Sequence, residues 1–302
     1  MQSSWGEHRG NKGLSLRLYV QCHSCLLSRG VRHMEEFVKA NRDMWEDQLD
    51  IHKDSKFYDV ESFLRGKQTL DPIELEEVGN VAGKSLLHLQ CHFGLDTLSW
   101  ARLDAEVTGV DFSKKAIALA EKLADQIGVK ARFITSDIYK LGDVLEEEFD
   151  IVFTSGGVLT WLPDLKTWGE IAARYVKRGG FFYIREFHPF SLVFDDERED
   201  DSLVLRYPYF CRGEPMVFQN DSTYVDTSRK IPIRTSYEWP YSLSGVINAL
   251  IGAGLRINFF NEFSVTTWKQ MPFLIERDDG RWILPSHQDS MPLMFSIKAT
   301  KE

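Results

Sequence analysis

Ser85-Leu86-Leu87-His88-Leu89-Gln90-Cys91-His92-Phe93-Gly94 is a short apolar run that breaks at a turn, and together with the segments C-terminal to it this run decides the fold. LDTLSWARL (95–103) has helical spacing, and EVTGVD (106–111) is a β-branched run ending in an acid. Ser113 is placed to N-cap KKAIALAEKLADQIG (114–128), which closes on glycine. ARFITSD (131–137), FDIVFTS (149–155) and FFYIREF (181–187) are three further strands. The helix LKTWGEIAARYVK (165–177), closed by Gly179-Gly180, lies between the last two. Strands alternating with helices of this length predict an α/β fold, a doubly wound parallel sheet with helices on both faces.

Further out the rhythm changes. Residues 190–240, rich in aromatics and holding Pro208, Pro215, Pro232 and Pro240, read as an antiparallel β insertion after the fifth strand, capping the sheet's carboxyl edge. A helix (242–254), a strand (255–263) and a last strand (292–300) complete the pattern. On the N-terminal side, Phe37, Val38, Met44 and Leu49 share one helical face. Residues 34–80 thus read as a helical segment that either packs on the domain or, through Trp45, His52, Phe57 and Tyr58, forms a lid. Residues 1–33 show neither periodicity and hold five basic side chains against one acid. They are expected to be a disordered or non-native extension, with Met34 the natural start of a single domain, 34–302.

Charge narrows the partners. The net charge is −9, and the chain beyond residue 33 is more acidic still, which suits a phosphate backbone poorly, so nucleic acid is disfavoured. No apolar stretch reaches the ~20 residues that cross a bilayer, so no membrane role is expected. Four cysteines point to a reducing, cytoplasmic setting. Cys22 and Cys25 lack a second ligand pair, so no metal is expected.

In an open sheet of this kind the ligand lies outside the carboxyl ends of the strands. Four loops meet that edge. Gln90 to Gly94 opens a helix, so its backbone N–H groups can face a ligand. Asp111 ends the second strand, where an acid accepts both hydroxyls of a ribose; its lesser alternative is a cap on the following helix. Asp137 and the N–H of Ile138 suit an adenine edge. Ser155 and Gly156 open beside the first loop.

Together these pieces resemble the class I S-adenosylmethionine-dependent methyltransferases, specifically bacterial small-molecule-type members with an HLQCHFG first loop. LLHLQCHFGLDTLSWARL, VTGVDFSKKAI, FITSDIY, FDIVFTSGGVLTWLPDL and RGGFFYIREFHP carry the likeness, all within residues 84–190. The resemblance implies a seven-stranded Rossmann-like sheet whose last strand (292–300) runs antiparallel between the fifth and sixth. It implies S-adenosyl-L-methionine as cofactor, contacted by His88, Gln90, Cys91, Gly94, Asp111, Phe112, Asp137, Ile138 and Ser155. Most such enzymes carry an acid and three spaced glycines where this chain has His88, Gln90, His92 and Gly94. Side chains at 90 and 92 are then expected to narrow the passage for the methionine end or to hydrogen-bond it. His88 could also be a satisfied core histidine.

Methyl transfer needs a held nucleophile and sometimes a base. His188, just past the fifth strand, is the candidate base; its other reading is a turn histidine fixed by Pro189. Tyr207, Tyr209, Phe210 and Tyr224 could shape a pocket for a small-molecule acceptor or a homodimer surface. Trp161 and Trp168 read as packing. The competing classes are an NAD(P)-dependent oxidoreductase, which lacks its pyrophosphate glycines here, and a non-catalytic binding module.

Overall fold

The computed structural model describes the backbone of residues 18–20 and 30–302, with side chains from residue 34 onward. Strand β1 (Leu18–Val20) is followed by helices α1 (Gly30–Lys53), α2 (Val60–Leu64) and α3 (Pro72–Val78). The alternating core is β2 (Ser85–Leu89), α4 (Leu95–Arg102), β3 (Glu106–Asp111), α5 (Lys114–Ile127), β4 (Ala131–Thr135), β5 (Phe149–Thr154), α6 (Leu165–Tyr175) and β6 (Val176–Phe187). Strands β7 (Met216–Asn220) and β8 (Arg234–Glu238) lie in the 190–240 segment, before α7 (Leu243–Gly252) and β9 (Leu255–Phe263). A two-stranded ribbon, β10 (Ile275–Glu276) and β11 (Trp282–Ile283), precedes β12 (Met294–Lys301).

The main sheet has the order β4-β3-β2-β5-β6-β12-β9. The first five are parallel to their neighbours, and β12 runs antiparallel to both β6 and β9, as expected. The chain winds outward from β2 to β4, then returns to lay β5 on the other side of β2. That reversal opens a crevice at the carboxyl ends of β2 and β5. Side-chain alternation along β2 fills both faces. Leu87 and Leu89 pack with Val152, Phe182, Trp168 and Leu250, while Leu86 packs with Trp100, Phe153 and Tyr183. Trp168 is core, as read from the sequence.

Helix α5 begins and ends as its sequence dictates: Ser113 Oγ accepts from the Ala116 N–H, and Gly128 closes it in the left-handed region. The end of α6 differs. The helix stops at Tyr175, and Gly179-Gly180 lie inside β6, where its pairing with β5 slips register. A Cβ at Gly180 would come within 2.7 Å of the Asp150 carbonyl, so the glycines serve a bulge rather than a helix cap.

The 190–240 segment contributes an antiparallel pair, β7–β8, extended by β1 on the far side of β7. Within residues 1–33, Leu18–Val20 form β1, and α1 starts at Gly30, ahead of Met34. The rest of that stretch, with Cys22 and Cys25, lies outside the described residues. The open edge of β8 is covered by α1: the Asn41 amide donates to the Tyr237 carbonyl and accepts from its N–H, both at 2.8 Å.

The buried pair Arg185–Glu74 (3.0 Å) ties β6 to α3. Glu74 also accepts from the Asp71 N–H in a capping box. Burial pushes Glu74 up to about 7, against the pull of Arg185. The two partners are not equivalent, because a guanidinium cannot shed its charge whereas a carboxyl can take up a proton. Glu74→Gln should therefore cost about 3–5 kcal/mol at pH 7 in urea unfolding, and Arg185→Met distinctly less. Equal losses would contradict this.

Candidate functional site

The crevice is the mouth of a cavity of about 1400 Å³. Its floor is the loop after β2, whose backbone takes a left-handed turn at every second residue: Gln90 (φ 58°), His92 (φ 51°) and Gly94 (φ 78°). A Cβ on Gly94 would stand 2.9 Å from both Ala120 Cβ and the Phe133 ring, so glycine is required there. Gln90 and His92 occupy the same kind of backbone with side chains, at a cost on the order of 1 kcal/mol each. Both line the cavity, as expected from their positions, and each keeps one buried polar atom without a partner, Gln90 Oε1 and His92 Nε2.

Asp111 ends β3 inside the same wall. Its Oδ2 accepts from the His92 N–H and its Oδ1 from the Ser113 N–H, both at 2.9 Å. Burial pushes its pKa up to about 7, and the backbone N–H groups of Ser113, His92 and Phe112 oppose that shift. A carboxylate has about four acceptor positions, so two remain. Phe112, Asp137, Ile138, Cys91, Gly94 and Ser155 share the lining. Asp137 accepts from the Tyr139 N–H (3.0 Å), and burial raises its pKa.

Two predicted residues stand elsewhere. His88 is buried in the core, its Nδ1 2.8 Å from Thr97 Oγ1 and its Nε2 3.2 Å from Ser155 Oγ. Both ring nitrogens are engaged, and it reaches the cavity only through Ser155. His188 is likewise buried: its Nδ1 accepts from the Phe190 N–H (3.1 Å), and its Nε2 sits 3.0 Å from Glu262 on β9. It holds a turn, as its alternative reading had it, and does not line the cavity.

Glu186 is a residue of the site that the sequence does not single out, whereas it offers Trp45, His52 and Tyr58 as a lid and Tyr207, Tyr209 and Tyr224 as a pocket. Glu186 receives four backbone N–H groups, those of Gly157 (2.5 Å) and Phe187 (2.7 Å) on Oε1 and of Val158 (2.9 Å) and Leu159 (3.1 Å) on Oε2. It thereby fixes the loop after β5. An acid at a strand's end beside a glycine loop was the available signal. Trp45 of α1 packs edge-on against His92 (5.3 Å between centroids), Trp161 (5.3 Å) and Tyr224 (6.4 Å), and Tyr58 lies over His92 (5.5 Å). Trp161, expected to be packing, lines the cavity, its indole N–H held by the Gly157 carbonyl (2.9 Å). Of the aromatics named in the insertion, Tyr207, Tyr209 and Tyr224 reach the cavity; Phe210 is exposed. His52 Nε2 meets Thr223 Oγ1 (2.6 Å), and burial pushes its pKa down to about 3. Among the described residues no cluster of His, Cys, Asp or Glu is arranged to hold a metal.

Comparison with known proteins bears on the fold that carries this site. Residues 87–184 match the family model described as a methyltransferase domain. A ubiquinone biosynthesis O-methyltransferase of Bordetella avium is 28% identical over 158 residues, 49% of this chain and 65% of that protein. One of Alkalilimnicola ehrlichii is 32% identical over 130 residues, 42% and 52% of the two chains. The match thus spans between half and two thirds of those relatives. Among solved structures, an S-adenosylmethionine-dependent methyltransferase from Mesorhizobium loti has the same fold (TM-score 0.54, 20% identity, 78% of this chain and 99% of that one). Another from Clostridium acetobutylicum aligns at TM-score 0.51 with 15% identity, over 86% of this chain and 98% of that one.

Replacing Glu186 by Gln keeps one acceptor oxygen but turns an NH₂ toward two N–H donors. The loss in unfolding free energy should be about 2–4 kcal/mol by denaturant titration, and a loss under 1 kcal/mol would deny Glu186 this role.

Proposed function

We propose that this chain, whose residues 87–184 are a methyltransferase domain on the class I S-adenosylmethionine-dependent fold, transfers a methyl group from S-adenosylmethionine to a small molecule. The observation that carries the reading is Asp111. A carboxylate buried at the end of β3, with one acceptor position left on each oxygen, suits a ribose diol. Asp137 and the Ile138 N–H then take the adenine edge, with Phe112 beside the ring. The loop of Gln90, Cys91 and Gly94, together with Ser155, takes the methionine end.

The residues fit the cofactor: Gln90 Oε1 is an orphaned acceptor in the wall that a methionine ammonium would satisfy. When bound, the cofactor supplies a methyl group on a positively charged sulfur. The chain then has to orient the acceptor and keep water away. Trp45 from α1, Tyr58 from the turn between α1 and α2, and Tyr224 from the insertion close over the site to do so. A small-molecule acceptor accords with the names of the relatives and with the acidity of the chain. None of the described helices is long and apolar enough to cross a membrane.

Asp111→Ala should weaken S-adenosylhomocysteine binding by roughly 30- to 1000-fold, about 2–4 kcal/mol, with Asp111→Asn intermediate. Asp137→Ala should cost less, about 1–3 kcal/mol. Calorimetry with melting curves checks both. Unchanged affinity in an Asp111→Ala protein of reduced stability would make Asp111 a helix cap only and remove the basis of this reading.

The pH dependence arises from the same group. The hydroxyls favour the ionised carboxylate, so its pKa in the complex falls below the value of about 7 without ligand. Affinity should rise between pH 6 and 8 and level off above, and the rise should vanish in Asp111→Asn. A flat profile in the unaltered protein would show that Asp111 is already ionised at pH 6.

A further inference from the structure

We infer that His92 is the residue that receives the proton of the methyl acceptor, and that the acceptor is an uncharged hydroxyl compound with a planar face, seated against Trp45, Trp161 and Tyr224. The inference rests on the methyltransferase reading above.

Three features of His92 converge. Its backbone is held in the left-handed region, where glycine would be free of strain, so the imidazole is kept at a cost. Its Nε2 is buried in the wall of the cavity with no hydrogen-bond partner. Buried polar atoms are normally satisfied, so this one points to a group that arrives from outside the chain. Its position is also singular. The backbone N–H is bonded to Asp111, while the ring contacts Trp45, His52 and Tyr58. His92 therefore stands where the cofactor side of the cavity meets its aromatic side.

The surroundings keep His92 and its ring neighbours neutral. Burial and the neighbouring His52 push His92 well below the ordinary histidine range, and His52 itself falls to about 3. The Tyr224 hydroxyl is pushed up to about 12 and Tyr58 is raised as well, so both stay protonated. An unprotonated Nε2 accepts from a hydroxyl, whereas a protonated amine has no free electron pair with which to take the methyl group. With its own proton on Nδ1, His92 offers Nε2 as an acceptor to a hydroxyl. The acceptor oxygen forms the new C–O bond as the methyl–sulfur bond breaks with its electron pair left on sulfur. The hydroxyl proton passes to Nε2, and the resulting imidazolium, disfavoured by burial, returns it to water once product leaves.

The test uses the full chain saturated with S-adenosylhomocysteine and a pair of probes of matched shape, 2-naphthol and the cationic 2-naphthylmethylamine. Calorimetry should detect 2-naphthol and find the amine bound at least tenfold more weakly. In ¹⁵N spectra, His92 Nε2 should be the unprotonated ring nitrogen and should shift when 2-naphthol is added. His92→Gly and His92→Asn both suit the left-handed backbone. They should melt no lower than the unaltered protein and, with S-adenosylhomocysteine kept saturating, lose 2-naphthol affinity at least tenfold. Failure of S-adenosylhomocysteine to bind would sink the methyltransferase reading itself. If it binds, the inference about His92 is overturned by equal affinity for the two probes, by 2-naphthol affinity unaltered in both variants, or by melting several degrees lower in both, which would make the imidazole a packing group.

Discussion

The bonds from the His92 and Ser113 N–H groups to the Asp111 carboxylate join three elements at one point: the loop after β2, the end of β3 and the start of α5. Much of the site hangs on that junction. A loop with left-handed residues at 90, 92 and 94 would not keep its shape unaided, because two of them are not glycine. Asp111 holds the middle of the loop, and Cys91 N–H bonded to the Val110 carbonyl (2.9 Å) holds the residue before it. Glu46 of α1 then accepts from the Lys114 N–H (3.1 Å), so the N-terminal helix is anchored to the same junction. One buried carboxylate thus holds the cavity floor, and another carboxylate, that of Glu46, ties the helix that roofs it to the same junction.

The buried acids of the molecule are stabilised in different ways, and the differences reflect their surroundings. Glu186 has four backbone N–H donors and is saturated, which suits a purely architectural part. Glu74 has a guanidinium and one N–H. Asp111 has only two donors for about four acceptor positions, and burial holds its pKa up to about 7. An acid that is incompletely satisfied inside a cavity is poised for a ligand, whereas a saturated one is poised for nothing.

The alternating core was legible because its signals are local. The caps of α5, the apolar runs of β2 and β5 and the acid closing β3 all lie within a few residues of what they specify. The likeness of the loops to a known family extended that to the antiparallel β12, which no local signal gives. Gly179-Gly180 misled because a glycine pair after a helical stretch looks the same whether it ends the helix or bulges a strand; pairing with β5 decides, and that is tertiary. His188 misled for a related reason: its place beyond β6 is readable, but the side to which its ring turns depends on Glu262, 74 residues later in the chain.

The aromatic wall was the least legible part, and the reason is topological. Trp45, Trp161 and Tyr224 come from a helix before the sheet, a loop within it and an insertion after its fifth strand, yet their rings meet within 6.4 Å. No periodicity links residues so far apart: Trp45 could be read as lid or packing, Tyr224 as pocket or dimer surface, and Trp161 as core. The division is physically sensible. Nucleotide-like features of a ligand are met by backbone and acids at strand ends, whose positions the fold dictates. The rest of a ligand is met by side chains from segments that the fold leaves free to vary. His92 belongs to both regions, its N–H bonded to Asp111 and its ring packed on Trp45; the sequence placed it beside the cofactor but not against the aromatic wall.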